Sequence, residues 1–120
     1  MDNSKLADRI AIIRARFVAR LAKDISDIDA SLLHMRGDGA EATDAVEAAY
    51  RQFHDILGIS ATVGFEATAR AAQTIDALLI QPFREHRGLS EGEFTRFRND
   101  LASFRLATQT ETQSTRELSL

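Results

Sequence analysis

The chain has 120 residues, enough for one hydrophobic core and too few for two. It is 44% apolar and 28% charged, with a net charge of −3 and both signs interspersed, so neither a nucleic-acid field nor a membrane-surface field is present. It has no cysteine, which excludes a disulfide framework, thiol chemistry and a cysteine zinc site, and no apolar run approaches the roughly 20 residues of a membrane helix. The N-terminus carries charge with no apolar signal region behind it, so the expected compartment is the cytoplasm. One proline, six glycines and abundant alanine favour long helices over many short strands.

Leu6, Ile10, Ile13, Phe17, Leu21, Ile25, Ile28, Leu32 and Met35 recur every three or four residues. That spacing predicts an amphipathic helix of about eight turns, packed along most of its length. Gly37 reads as its C-terminal stop. Asp38-Gly-Ala-Glu41 has the spacing of a capping box and predicts a second helix running to about Ala61, with Ala42, Ala45, Val46, Ala49, Phe53 and Ile56 on its apolar stripe. Thr62-Val-Gly64 interrupts it. A third helix is expected from about Gly64 to Ile80, ended or kinked by Pro82, and Phe83 to Leu89 reads as a connector. Ser90-Glu-Gly-Glu93 is a second capping box, followed by Phe94, Phe97, Leu101 and Phe104 at helical spacing to about Ala107. Residues 108–120 offer almost nothing to bury and read as a frayed or disordered tail. The expected fold is all-α: residues 1–107 as an antiparallel four-helix bundle. A helical hairpin that dimerises is the alternative, although the amphipathic pattern can be satisfied within a monomer.

The stretch Tyr50 to Phe65 carries the chemistry. On a helical projection His54 lies on a flank of the second helix, with Glu47, Tyr50, Arg51, Leu57, Gly58 and Ala61 within about 60° of it. An imidazole beside a bare glycine backbone is a surface that a second protein can press against. His34 and His86 read as solvated or capping residues. No His-x-x-x-His or Glu-x-x-His pair supports a metal site, and there is no P-loop, nucleophile elbow or dinucleotide loop. No cofactor is expected, and neither is an active site complete within this chain.

His-Asp-Ile-Leu-Gly-Ile-Ser-Ala-Thr-Val-Gly-Phe, starting at His54, resembles the signature of histidine phosphotransfer (HPt) domains, with Gly58, Ser60, Ala61, Gly64 and Phe65 in register. Glu66 to Leu79 is similar to the following helix of the phosphotransfer domain in chemotaxis histidine kinases. The resemblance covers about residues 5 to 107 and implies a four-helix bundle. It also implies a phosphorelay role, with His54 accepting a phosphoryl group from a histidine kinase or a receiver-domain aspartate and passing it to another receiver. Neutral imidazole is nucleophilic at cellular pH, and the receiver would supply Mg²⁺ and most of the catalytic machinery. Gly58 would admit the partner without a side chain in the way, and Tyr50, Leu57 and Ala61 would provide apolar contact.

By the same resemblance, Asp76 would hydrogen-bond the other imidazole nitrogen and hold His54 in its reactive tautomer. Projection of the third helix points its carboxylate toward the bundle, where a partner is required. Leu57 departs from the family pattern, which usually has lysine there. That lysine would give the phosphoryl group a charge-assisted bond worth about 1.5–3 kcal/mol. Helical geometry makes Arg51, one turn earlier, a possible substitute cation. The alternative is a helical adaptor that binds receiver or kinase domains without being phosphorylated. A third reading is an unrelated bundle in which His54 is incidental.

Overall fold

Four helices account for nearly all of the chain: α1 (Asn3–Ser31), α2 (Ala40–Val63), α3 (Glu66–Arg84) and α4 (Glu91–Ser119), with a short 3-10 turn at Leu32–His34. The computed structural model describes residues 3–119, and the side chains of residues 4–113. Met1, Asp2 and Leu120, which end the two expected segments, lie outside the described residues. Cross-helix contacts give the directions. Arg14, Arg20 and Asp24 of α1 meet Val63, Asp55 and Gln52 of α2, so the sequence rises on one helix as it falls on the other. Tyr50 and His54 of α2 likewise meet Phe83 and Asp76 of α3, and Thr68 of α3 meets Glu111 of α4. The fold is the expected all-α, antiparallel four-helix bundle. No helix among the described residues is long and apolar enough to cross a membrane.

The core is built on the apolar stripes. Val46, Phe53 and Ile56 of α2 pack with Ile75 and Leu79 of α3 and with Phe97, Leu101 and Phe104 of α4. The Phe53 ring meets Phe97 and Phe104 edge-on, with centroids 6.2 and 5.2 Å away. Such T-shaped contacts match ring edges to ring faces and hold α2 in one rotational setting. That setting turns His54, adjacent to Phe53, onto the surface.

Gly64 ends α2 in the left-handed conformation, φ 85°, which an L side chain adopts only with strain. Arg14 donates from Nε to the Val63 carbonyl at 2.9 Å, satisfying one of the open acceptors at this helix end. The α2–α3 hairpin therefore stops level with Arg14.

Several expectations need correction. Helix α1 is packed from Arg14 to its end, most of its length as expected, but the apolar stripe of its first part is not covered: residues 4–13 are exposed, including Leu6, Ile10 and Ile13, because they lie at or beyond the end of the hairpin. Residues 108–119 are helical rather than a disordered tail. Thr108 is buried, and the Glu111 carboxylate accepts the N–H groups of Ala67 and Thr68 at 3.2 and 2.6 Å, which are open donors of the first turn of α3. Pro82 lies inside α3 without ending it, because its lost hydrogen bond falls in the last turn and its ring is fully buried. The helix ends at Arg84, just before His86 takes φ 52°.

The two capping boxes also differ. In the second, Ser90 N–H donates to Glu93 Oε1 at 2.9 Å and Glu93 N–H donates to Ser90 Oγ at 3.2 Å, as expected. The first does not form. Gly39 is the N-cap of α2 with no side-chain cap, and Glu41 meets His34 Nδ1 instead.

Candidate functional site

Mid-way along α2, His54 has 64% of its side chain exposed and its Nδ1 2.8 Å from Asp76 Oδ2. An ionised carboxylate only accepts hydrogen bonds, so the shared proton resides on Nδ1, and in the neutral ring the lone pair is then on Nε2. The antiparallel register of α2 and α3 brings the two residues level. The Asp76 side chain is only 13% exposed, because the apolar stripe of α3 turns it inward. The histidine thus projects into solvent from an acceptor that is itself held against the bundle.

Tyr50, one turn before His54, is wedged between two rings. Its centroid is 4.3 Å from that of Phe83 and 5.7 Å from that of the imidazole, with interplanar angles of 23° and 27°. This stack limits the rotation of the imidazole from below, while Asp76 fixes it from the side. Leu57 is half-buried against the core, whereas Gly58 and Ala61 are exposed. A Cβ placed on Gly58 would meet nothing within 4 Å. The fold itself has room for a side chain there, and only an approaching partner would need the space.

Arg51 is one turn from His54, but its Nη2 lies 2.6 Å from Glu47 Oε1, which engages the guanidinium along α2. Another arginine enters the neighbourhood from α1. An open groove of about 620 Å³ between α1 and α2 is lined by Ile13 and Arg20 of α1 and by His54, Asp55, Gly58 and Ile59, among others, of α2. Arg20 Nη2 is 3.3 Å from Asp55 Oδ2, and its Nε is 3.6 Å from Asp24 Oδ2. Burial raises the Asp24 carboxyl above its usual range, against the opposing pull of Arg20. Among the described residues, no group of three His, Asp or Glu side chains is arranged to hold a metal ion.

The structure therefore brings together His54, Asp76, Tyr50, Leu57, Gly58 and Ala61, and turns Arg51 toward Glu47. Sequence reasoning missed Phe83, assigned to a connector, and Arg20, 34 residues before His54. Periodicity marks Arg20 only as a polar residue on α1. Which part of α2 it faces depends on the pairing register of the two helices.

The family model of the Hpt domain matches residues 13–107, most of the chain and all of this site. The chain belongs to the Hpt domain family. Hpt domains serve in histidine phosphotransfer within phosphorelays and interact with kinases and receiver domains. No match was found among curated proteins or solved structures.

Proposed function

We propose that this Hpt domain is a phosphocarrier of a two-component phosphorelay, with His54 as the phosphoryl acceptor. The observation that carries the reading is the 2.8 Å contact between Nδ1 of an exposed histidine and a largely buried carboxylate. The contact leaves the Nε2 lone pair available at the surface. In the transfer step that lone pair attacks the phosphorus of an aspartyl phosphate on a receiver domain. A P–N bond forms, the P–O bond breaks, and its electron pair returns to the receiver's carboxylate. The ring gains positive charge as the bond forms, and Asp76 stabilises it while keeping the Nδ1 proton in place. The receiver contributes the Mg²⁺ of the reaction. On this side, Gly58 keeps the approach clear, and Tyr50, Leu57 and Ala61 form the apolar part of the contact. The protein acts as a monomer, in the cytoplasm where kinase and receiver domains are found.

Leu57 favours a second reading, a docking adaptor that is never phosphorylated, because leucine cannot bond to a phosphoryl group. The two separate in one experiment: transfer of label from a ³²P-phosphorylated receiver to the wild type and to His54→Gln. Acid-labile label on the wild type alone establishes the carrier. Receivers that bind without transferring label establish the adaptor. Neither binding nor transfer with any receiver of the source genome overturns both.

A further inference from the structure

The surroundings of His54 are short of positive charge for a residue that is to carry a phosphoryl dianion. Asp55 is its chain neighbour, Asp76 holds its Nδ1, and Glu47 lies two turns earlier on the same flank. Leu57 supplies no cation, and Arg51 is engaged by Glu47 at 2.6 Å. Among the described residues lining the groove beside His54 and Gly58, the permanently charged cation is Arg20.

We propose that Arg20, donated by α1, is the phosphoryl-binding cation of this site. It exchanges Asp55 for the phosphoryl oxygens when His54 is loaded. This inference rests on the phosphocarrier reading above. The geometry of Arg20 suits such an exchange. Its Nε end lies 3.6 Å from Asp24, a carboxylate whose side chain is only 9% exposed, an ion-pair contact without a hydrogen bond that draws the base of the guanidinium toward the groove wall. Its outer Nη2 makes the 3.3 Å contact with Asp55, an exposed carboxylate on the residue next to His54. An exposed pair of this kind contributes little. A phosphoryl group offers more charge and several acceptor oxygens in fork geometry, so it competes successfully for the same nitrogens. Arg20 makes and breaks no covalent bond. It neutralises charge on the oxygens as the P–N bond forms, and it screens the loaded group from Asp55.

Two experiments test this independently of one another. In the first, His54 is loaded chemically with phosphoramidate, which requires no protein partner, and the ¹⁵Nε resonances of the arginines are followed by NMR. The expected result is a shift of the Arg20 resonance on loading, absent in His54→Gln. A loaded protein in which Arg20 does not respond overturns the proposal, whether or not any receiver transfers label.

In the second, transfer from a phosphorylated receiver is timed for Arg20→Met, Arg20→Lys, Arg51→Met and Asp55→Asn, with thermal melts to confirm folding. Arg20→Met should slow transfer roughly 10–100-fold, with affinity for the unphosphorylated receiver changed less than the rate. Arg20→Lys should recover part of the loss, Arg51→Met should lose less than Arg20→Met, and Asp55→Asn should raise the rate. A folded Arg20→Met protein that transfers at the wild-type rate overturns the proposal, as does a larger loss in Arg51→Met. A wild type that accepts phosphoramidate but no receiver phosphoryl group counts against the carrier reading, and the NMR response still decides the role of Arg20.

Discussion

Two histidines in this molecule hold a carboxylate against Nδ1 at nearly the same distance: His34 meets Glu41 at 2.9 Å and His54 meets Asp76 at 2.8 Å. Their surroundings differ. Glu41 belongs to the first turn of α2, and its side chain is 75% exposed, so the pair joins two exposed surface groups across the α1–α2 connection. Asp76 is 13% exposed, held by the buried stripe of α3, and the imidazole above it is stacked on Tyr50, which is stacked in turn on Phe83. An exposed ion pair must bear the entropy of holding two side chains in one geometry and contributes little. A partner fixed by the core has already been ordered by folding, so it can orient a nucleophile. A short contact is therefore weak evidence for a site until the immobility of the partner is known.

The largest expected effect tests the comparison directly. His54→Gln should abolish acceptance of label from a phospho-receiver, a loss of at least about a thousandfold, whereas His34→Gln should stay within about twofold of the wild type. Comparable losses in both variants would remove the distinction drawn here.

The end of the bundle that carries His34 is held by backbone rather than by its histidine. A Cβ on Gly88 would fall 2.2 Å from the Gly37 carbonyl oxygen and 2.9 Å from that of Met35, where Leu89 N–H already donates to Met35 at 2.7 Å. Gly88→Ala should thus cost about 3 kcal/mol in denaturant unfolding, far more than His34→Ala. By contrast Gly58→Ala, inside α2 with open space around it, should be more stable than the wild type by about 0.5–1 kcal/mol and lose transfer.

Next comes Asp76, the proposed orienting carboxylate. Asp76→Ala should slow transfer about 10–100-fold with the fold retained, while Glu41→Ala leaves the rate unchanged; equal rates for Asp76→Ala and wild type would deny Asp76 its role.

The His34 end also carries a paired carboxylate, Glu93. Arg87 meets it twice, at 2.6 and 3.0 Å, and this pairing holds its carboxyl well below the ordinary range, at about 2 against 4.5, in opposition to burial. A carboxyl lowered on folding adds stability above its unfolded value and loses it as the pH falls through the folded one. Unfolding free energy should therefore drop between about pH 4.5 and pH 2. In Glu93→Ala, less stable by about 2 kcal/mol at pH 7, that part of the acid slope should be missing.

The smallest expected effect concerns the end of the bundle toward which α1 extends. Glu111→Ala removes the acceptor for two N–H groups of α3 and should cost about 1 kcal/mol. A thermal melt identical to wild type would mean that the Glu111 contact with α3 adds nothing to the bundle.

Much of this protein was determined by residue order alone. The apolar stripes of α2 and α3 turn with the helix, so they specify which residues enter the core and put His54 on a flank and Asp76 half inward. The break at Gly64 and the capping box at Ser90 and Glu93 are local geometry, and local sequence specifies them. Periodicity, however, describes a helix face and not the length of its neighbour. Leu6, Ile10 and Ile13 follow the same pattern as Phe17 and Leu21, yet only the latter two are buried against the bundle, because the hairpin ends level with Arg14. Residues 108–119 look polar along the chain, but Glu111 finds the open first turn of α3 only once α4 has docked. The proposed phosphoryl-binding arginine has the same origin: Arg20 and Asp55 became neighbours through the pairing register of two helices. That register is set by how side chains interlock across the whole interface, which no single stretch of sequence contains.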